Sequence, residues 1–515
     1  MVVGLFIGGA AAGAERDGAD RVEVLEEMPA SGNDMRAARA QNSPEVAVDP
    51  TDSDVVALAV RVDRPDFSCG LELSGDGGRL WAPVDPVPLL PEGVDKCYGP
   101  EVAFDSDGTL FYLFVGLEGP GNRPYGVYLT SSEDRGRSWS QPWEVLGPGN
   151  YQVRMVLDRA AGGEGRMHLV WLRTSQEPGL GGLPAPPNPI VASHSDDRGR
   201  SWSEPVLVSD PEGQPRAVAP AVALGVDGAV HVAFYDLEDD SRDYRGLEGD
   251  TWPGTWSVMH GVSTNRGETF EEPVVVDDGV VPPERVMLIF TMAPPAVAAG
   301  GDGGVHVAWH DGRNGDWDVF AAASDDQGGT WGRPVRVNDD RRGNGRHQLL
   351  PQVGVGPDGR VEVVFFDRRN DDSNVYQHVY YSRSVDQGAT FEPNVRVTSL
   401  RSTSHNGARY GVPSARGQYD LGTRLALIPD KNASLAAWPD SRDPAPGTGG
   451  QNVFTTLITQ PGWDGIDADQ GSTGGIGGWP AAVGIIAVAL VGVIVWRRHL
   501  PSTPPTATPV GGKDR

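Results

Sequence analysis

The sequence predicts an all-β chain, a β-propeller of seven four-stranded blades with six blades as the alternative, and three observations lead there. A short box, Ser-x-Asp-x-Gly-x-x-Trp, recurs six times. A second unit, Pro-x-Val-Ala-Val, then Asp-Gly, then His-Val-Ala-Trp, falls between the boxes. The last unit lacks an outer strand that the N-terminal segment can supply.

The boxes begin at Ser74, Ser132, Ser195, Ser263, Ser324 and Ser384, at intervals of 58, 63, 68, 61 and 60 residues. Their acidic position is Asp76, Asp134, Asp197, Asn265, Asp326 and Asp386, and the fourth copy is weakened twice, by Asn265 and by Phe270 in place of Trp. The carboxylate suits the turn N–H groups, the glycine a positive φ, and the aromatic ring an anchor in neighbouring apolar surface. A group repeated around a scaffold cannot serve one site, so these residues are read as structural.

The second unit is clearest from Pro220, Pro295 and Pro351 and fainter from Pro44, Pro100, Val153 and Thr423, which makes seven. Short Val-rich and aromatic runs broken by Asp-Gly turns are strands joined by hairpins. Each repeat thus holds four strands, the third entering the box and the fourth leaving it as Pro-Val-x-Val. The seventh ends after Asn452-Val453-Phe454-Thr455-Thr456 without a box, and Arg21-Val22-Glu23-Val24 resembles the missing outer strand. The expectation is a ring over 20–460 closed by that N-terminal strand, with no free edge left to aggregate.

A net charge of -27 excludes a nucleic-acid or anionic-lipid surface for the ring. Residues 1–14 read as a signal-peptide-like segment ending in Ala12-Gly13-Ala14, without a basic start. After a linker over 461–477, the uncharged run 478–496 is long enough for one membrane helix, and Arg497-Arg498 assigns 497–515 to the cytoplasm. The expected placement is single-pass in the cell membrane, ring outside, as a monomer. Cys69 and Cys97 are the only cysteines, and in an exported chain they are expected to form a disulfide. No metal or nucleotide motif is present; the acidic stretch 236–243 is a weak calcium hint.

The boxes with their internal spacing resemble the bacterial neuraminidase repeat, or Asp-box, family, whose best-known enzymes are sialidases. The resemblance covers roughly residues 20 to 460. It implies a propeller with the boxes on the hairpin between third and fourth strands, away from the active face, and a protein that either cleaves glycans as a sialidase-like glycoside hydrolase or binds glycans or cell-surface proteins without cleaving them.

The face opposite the boxes carries the long insertions 174–188, 236–256, 277–291 and 398–418. One polar set there is Asp311-x-Arg313, Asp367-Arg368-Arg369 and Asp440-x-Arg442, read as braces of their own loops or as ligand contacts. The other follows the Pro of each unit next to the channel: Glu45, Glu101, Arg154 and Arg424 occupy one arc, while Ala221, Ala296 and Gln352 complete the ring. Two carboxylates and two guanidiniums can clamp an acidic sugar and supply an acid/base group, or pair between blades. Arg346, His347, Tyr410, Tyr419 and Asp420 are further candidates. The resemblance implies a three-arginine clamp, for which Arg154, Arg424 and Arg368 are the available residues, and a Tyr–Glu nucleophile pair, Tyr419 with Glu45 or Glu101, with Asp420 also catalytic. The opening Phe/Tyr-Arg-Ile-Pro segment of sialidases is absent here, Asn42-Ser43-Pro44-Glu45 standing in its place, and seven units depart from the six blades of sialidases.

Overall fold

The computed structural model describes residues 22–30, 40–63, 66–84, 90–119, 123–158, 165–174, 186–240, 252–282, 292–403, 422–442 and 450–461. They form seven antiparallel sheets in chain order, each of at least four strands. Blade one comprises Gln41–Val48, Val56–Val62, Ser68–Ser74 and Ala82–Pro83, and the other blades repeat that plan, so the seven-blade expectation holds and the six-blade alternative falls.

Closure follows the expected route. Glu23 and Val24 pair with Thr459 and Ile458, and a second short strand, Met28–Pro29, pairs with Thr455 and Phe454. The outer edge of blade seven is therefore built by the first described residues of the chain, and the ring presents no long unpaired edge there. Among the described residues no helix is long and apolar enough to cross a membrane. The expected signal segment 1–14, linker 461–477 beyond its first residue, membrane helix 478–496 and tail 497–515 lie outside the described residues, which also exclude the whole of the second compact unit of the chain, 464–515.

Second strands are buried along their whole length in most blades, and Trp171, Trp309 and Trp438 on three of them are fully enclosed between sheets. Each sits in an apolar core shared with residues of the preceding blade. Cys69 and Cys97 are joined, with Cα atoms 5.6 Å apart, and this cross-link ties the third strand of blade one to the inner strand of blade two.

Each box is a small hydrogen-bonded ring. In the first, the Ser74 hydroxyl donates to Asp76 Oδ1 at 2.8 Å and accepts from the Gly78 N–H at 2.9 Å, while Asp76 Oδ1 also accepts from the N–H of Leu80 at 2.8 Å. The serine that opens every box is thus as integral as the carboxylate. The fourth box survives its Asp-to-Asn change because Asn265 Oδ1 accepts the same two bonds, from Ser263 and from the Thr269 N–H. Hydrogen bonds from Ser324 and Thr330 hold Asp326 down to about 2.

The box glycines combine a positive φ with close approach to a side chain of the preceding blade, a leucine in the first three boxes and a histidine in the last three. Gly267 has φ +82°, and a Cβ there would lie 2.9 Å from His168 Nδ1; Gly388 has φ +83°, and a Cβ there would lie 3.3 Å from His306 Nδ1. Gly328 covers His260 more closely still. Beneath it, His231 and His260 stack, with ring nitrogens 3.2 Å apart. Burial pushes His231 down to about 4 and His260 down to about 3, so both stay neutral in the folded ring. The unfolded chain takes up these protons below about 6.5 and the folded ring does not, so their contribution to stability is complete above that pH and declines as pH falls toward 4. Replacing His260 by Gln should therefore flatten the fall in unfolding free energy between pH 6.5 and 4 by about 1 kcal/mol per pH unit relative to the parent, read by denaturant titration at each pH. An unchanged slope would contradict the assignment.

The residue after the box Asp also adopts positive φ and reaches across the blade boundary. Arg135 pairs with Asp52 at 3.0 Å, Arg198 with Asp105 at 3.2 Å, and Arg266 with Asp158 at 3.0 Å, in each case an aspartate of the inner hairpin turn one blade back. In the fifth and sixth boxes this residue is Gln327 and Gln387.

Candidate functional site

The site begins with a backbone irregularity. In five blades the inner strand slips register by one residue against its neighbour, between Asn42 and Glu45, Tyr98 and Glu101, Tyr151 and Arg154, Val218 and Ala221, and Leu349 and Gln352. At each bulge one residue has positive φ: Ser43 (49°), Gly99 (56°), Gln152 (52°), Ala219 (56°) and Leu350 (53°). Four of these precede a proline, which ordinarily holds the residue before it in extended conformation. Each bulge re-aims the chain at the position after the proline, the ring singled out in the sequence. The bulges lie at the start of inner strands and the boxes at the end of third strands, so in antiparallel blades the two occupy opposite ends of the ring.

On the arc from blade seven to blade three the ring side chains meet. Arg424 Nε lies 3.1 Å from Glu45 Oε2, and Arg424 Nη1 donates to Glu101 Oε1 at 2.5 Å. Arg154 Nη1 donates to the same Glu101 oxygen at 2.9 Å. Backbone carbonyls take up further guanidinium donors: Pro44 and Pro100 accept from Arg424 at 3.1 and 3.0 Å, and Pro220 accepts from Arg154 at 3.3 Å. The second Glu101 oxygen accepts from the Met155 N–H at 3.4 Å. Five blades are thereby tied through one carboxylate and two arginines. Glu101 and Arg424 are buried, whereas the Glu45 side chain remains 32% exposed. Burial, reinforced by Glu101 and opposed by Arg424, pushes the Glu45 carboxyl up to about 7.

A second group, missed in the sequence, stands beside this arc. Arg61 is fully buried and ion-paired with Asp63, its Nη2 donating to Oδ2 at 2.9 Å and its Nε lying 2.8 Å from Oδ1, and it donates to the Tyr98 hydroxyl at 2.8 Å. Asp63 also accepts from Asn42 at 2.8 Å, Asn42 accepts from the Ser43 hydroxyl at 3.0 Å, and Ser43 accepts from the Thr423 N–H at 3.0 Å. Arg61, Tyr98, Gln152, Met292, Thr423 and Arg424 line a cavity of about 50 Å³. The signal was present in Val56–Val62, where Arg61 is the one charge in an otherwise apolar strand.

The remaining candidates stand apart from this network. Asp311 accepts from the N–H and Nε of Arg313, both at 2.9 Å, and from the Trp309 indole at 3.0 Å; Asp440 accepts from Arg442 N–H at 2.7 Å and from the Trp438 indole at 2.9 Å. Asp367 accepts from Arg369 N–H at 2.6 Å. Each arginine then lies over an aromatic ring of the third strand, Arg313 on Phe320, Arg369 on Tyr380 and Arg442 on Phe454, 4.3–4.5 Å from the centroid. The Asp-x-Arg set therefore forms braces within its blades, extended by ion pairs from Arg313 to Asp277, Arg369 to Asp339 and Arg442 to Glu27.

Arg368 is buried, donating to Gln377 at 3.3 Å and to the Asn374 carbonyl at 2.9 Å, and burial pushes it down to about 10. No bond among those described joins it to Arg154 or Arg424. Arg346 pairs with Asp372 at 2.6 Å, and His347 stacks on Trp317 with centroids 4.4 Å apart, pushed down to about 4 by burial. Tyr410, Tyr419 and Asp420 lie outside the described residues, as do residues 241–243 of the acidic stretch. Within 236–240, Asp240 is buried and accepts from the Trp256 indole at 3.0 Å, and no group of three or more metal-binding side chains occurs among the described residues.

Residues 188–416, which hold the third to sixth boxes, match the family model of the BNR repeat-like domain. No curated protein sequence matches the chain. Among solved structures, the chain is similar to a protein of unknown function from Dyadobacter fermentans (17% identity, 85% of this chain and 99% of that one, TM-score 0.48). It is also similar to the endosialidase of phage phi92 (11%, 87% and 70%, TM-score 0.47) and to the NanB sialidase of Streptococcus pneumoniae (10%, 79% and 84%, TM-score 0.41).

Proposed function

We propose that this chain, whose repeats are of the BNR type, is a cell-surface propeller that binds glycans over the channel mouth without cleaving them. One observation carries the second half of that statement. The two guanidiniums that an acidic-sugar hydrolase needs free are already occupied, by Glu101, by Glu45 and by three backbone carbonyls. The cavity beside them, about 50 Å³, is far below the roughly 300–1,000 Å³ of a small-molecule site. Glycans as the ligand class are supported by the BNR match and by the long insertions, 174–188, 236–256, 277–291 and 398–418, that the sequence assigns to this face. A single-pass tether with the ring outside is supported by the apolar run 478–496 and the Arg497-Arg498 that follows it.

The test is binding of the full chain to immobilised sialylated, sulfated and neutral glycans, with Glu45→Gln as the variant. At least one glycan should bind, about tenfold more weakly in the variant. A folded chain that binds none would overturn the proposal. A hydrolytic reading keeps one feature in its favour: Glu45 is partly exposed and its carboxyl is pushed up to about 7, which suits a general acid at neutral pH.

A further inference from the structure

The six boxes dock on two kinds of surface, and the division follows the ring. In the first three boxes the glycine rests on a leucine of the preceding blade: a Cβ at Gly78 would lie 3.0 Å from Leu435 and one at Gly136 2.9 Å from Leu73, and Gly199 covers Leu129 more closely. In the last three it rests on an imidazole, that of His168, His260 or His306. The leucine seams join blades seven, one, two and three, which the Glu45, Glu101, Arg154 and Arg424 arc and the Cys69–Cys97 bond also tie together. The histidine seams join blades three to six.

A second difference separates the last two boxes from the fourth. Arg135, Arg198 and Arg266 clasp boxes two to four to the blade before. Box four is held further, since Arg166 of blade three pairs with its Glu268 at 3.0 Å and donates to the Arg266 carbonyl at 2.9 Å. Boxes five and six carry Gln327 and Gln387 in place of the arginine, and the Gln387 amide reaches Asp302 only at 3.5 Å. They therefore rest on an imidazole without a clasp. His260 faces His231, with ring nitrogens 3.2 Å apart, together with the Gly328 backbone and the Trp331 ring. His306 faces Asp302, yet burial outweighs that carboxylate and pushes the imidazole down to about 4.

We propose that boxes five and six form an acid-released latch: when His260 and His306 take up protons, the boxes lift from the blades on which they dock, and the ring loosens between blades four and six while the arc from seven to three stays closed. A lifted box exposes its histidine, which then binds a proton below about 6.5, whereas the docked His260 and His306 do so only near about 3 and about 4. The lifted form thus gains as pH falls, by about twentyfold in population between pH 7 and 5 for one histidine. Glu45 works in the opposite sense. With its carboxyl pushed up to about 7, the folded arc takes a proton at a pH where the unfolded chain does not, so acid does not weaken that side. Should the mouth hold a glycan, as proposed above, loosening of the histidine side would release it; the latch itself stands without that reading.

The experiment is hydrogen exchange of the full chain at pH 7 and pH 5, read by mass spectrometry as protection factors with intrinsic exchange divided out. Every box offers the same reporter, a glycine N–H bonded to the box serine at 2.8–2.9 Å. Protection in boxes five and six should fall about twentyfold at pH 5, and that in boxes one to three by less than about threefold. His260→Leu and His306→Leu give the two seams the residue type that boxes one to three use, and each should abolish the acid response of its own box alone. Gln387→Arg adds the clasp of boxes two to four, leaves His306 in place and should reduce the response of box six, which keeps the test decisive if a leucine variant does not fold. Equal loss of protection in all six boxes, no loss in boxes five and six, or a response that persists in the folded variants would overturn the proposal. No glycan enters the measurement, so the latch and the glycan reading fail separately.

Discussion

Replacing Glu101 by Gln is expected to lower the unfolding free energy by about 3–5 kcal/mol, the range for removing one partner of a buried ion pair. The reason is positional. Glu101 is buried, and its Oε1 is shared by Arg154 and Arg424, so the amide leaves two guanidiniums facing each other across a site with little water. Arg424→Met should cost a similar amount, because it strands Glu101 and two carbonyls. Since both changes dismantle one network, their effects should not add: the double variant should be less destabilised than the sum of the single ones, by 1 kcal/mol or more. Denaturant unfolding of the four proteins gives the cycle. Additive effects would mean that the guanidiniums and the carboxylate act independently, and the interpretation of this arc as a brace would be wrong.

Cys69→Ser should cost nearly as much, about 3–4 kcal/mol, by the loop-closure estimate for a loop of 28 residues. The bond joins neighbouring blades, and Cys97 adjoins Tyr98, which receives the Arg61 hydrogen bond. Loss of the cross-link should therefore loosen the seam beside the channel-mouth cavity as well as lower global stability. Unfolding of the parent under reducing conditions should reproduce the value. A parent protein whose unfolding is indifferent to reductant would show that the bond does not form or does not matter.

Ring count, strand order, closure and the disulfide were legible because each follows from period and composition. The box repeat sets the blades, Asp-Gly turns set the hairpins, and the strand missing from blade seven is visible at residues 21–24. Register equivalence also brought Glu45, Glu101, Arg154 and Arg424 into one arc. What sequence could not decide is where their side chains turn. A guanidinium beside a channel serves a ligand or a neighbouring carboxylate equally well by pattern, and here Arg424 reaches past blade one to Glu101 on blade two.

The bulges were hidden for a related reason: Ser43, Gln152, Ala219 and Leu350 carry no residue preference for positive φ, and nothing local announces it. The Arg135, Arg198 and Arg266 clasps escaped notice because the repeat was read for its constant positions, while the clasp resides in a variable one. Arg61 was legible in principle, as a lone charge in a buried strand. The Asp-x-Arg pattern left a brace and a ligand contact open, and its recurrence on three successive blades fits a local structural need better than a single site.

Turnover of a fluorogenic sialoside by the full chain, followed from pH 4 to 8 beside the Glu45→Gln variant, tests the central claim most directly. A channel mouth whose arginines are committed to Glu45 and Glu101 should give no release above the uncatalysed rate at any pH, while the same preparation unfolds cooperatively. Release by the parent that disappears in Glu45→Gln, with both proteins folded, would show that the arc performs chemistry and would contradict the account.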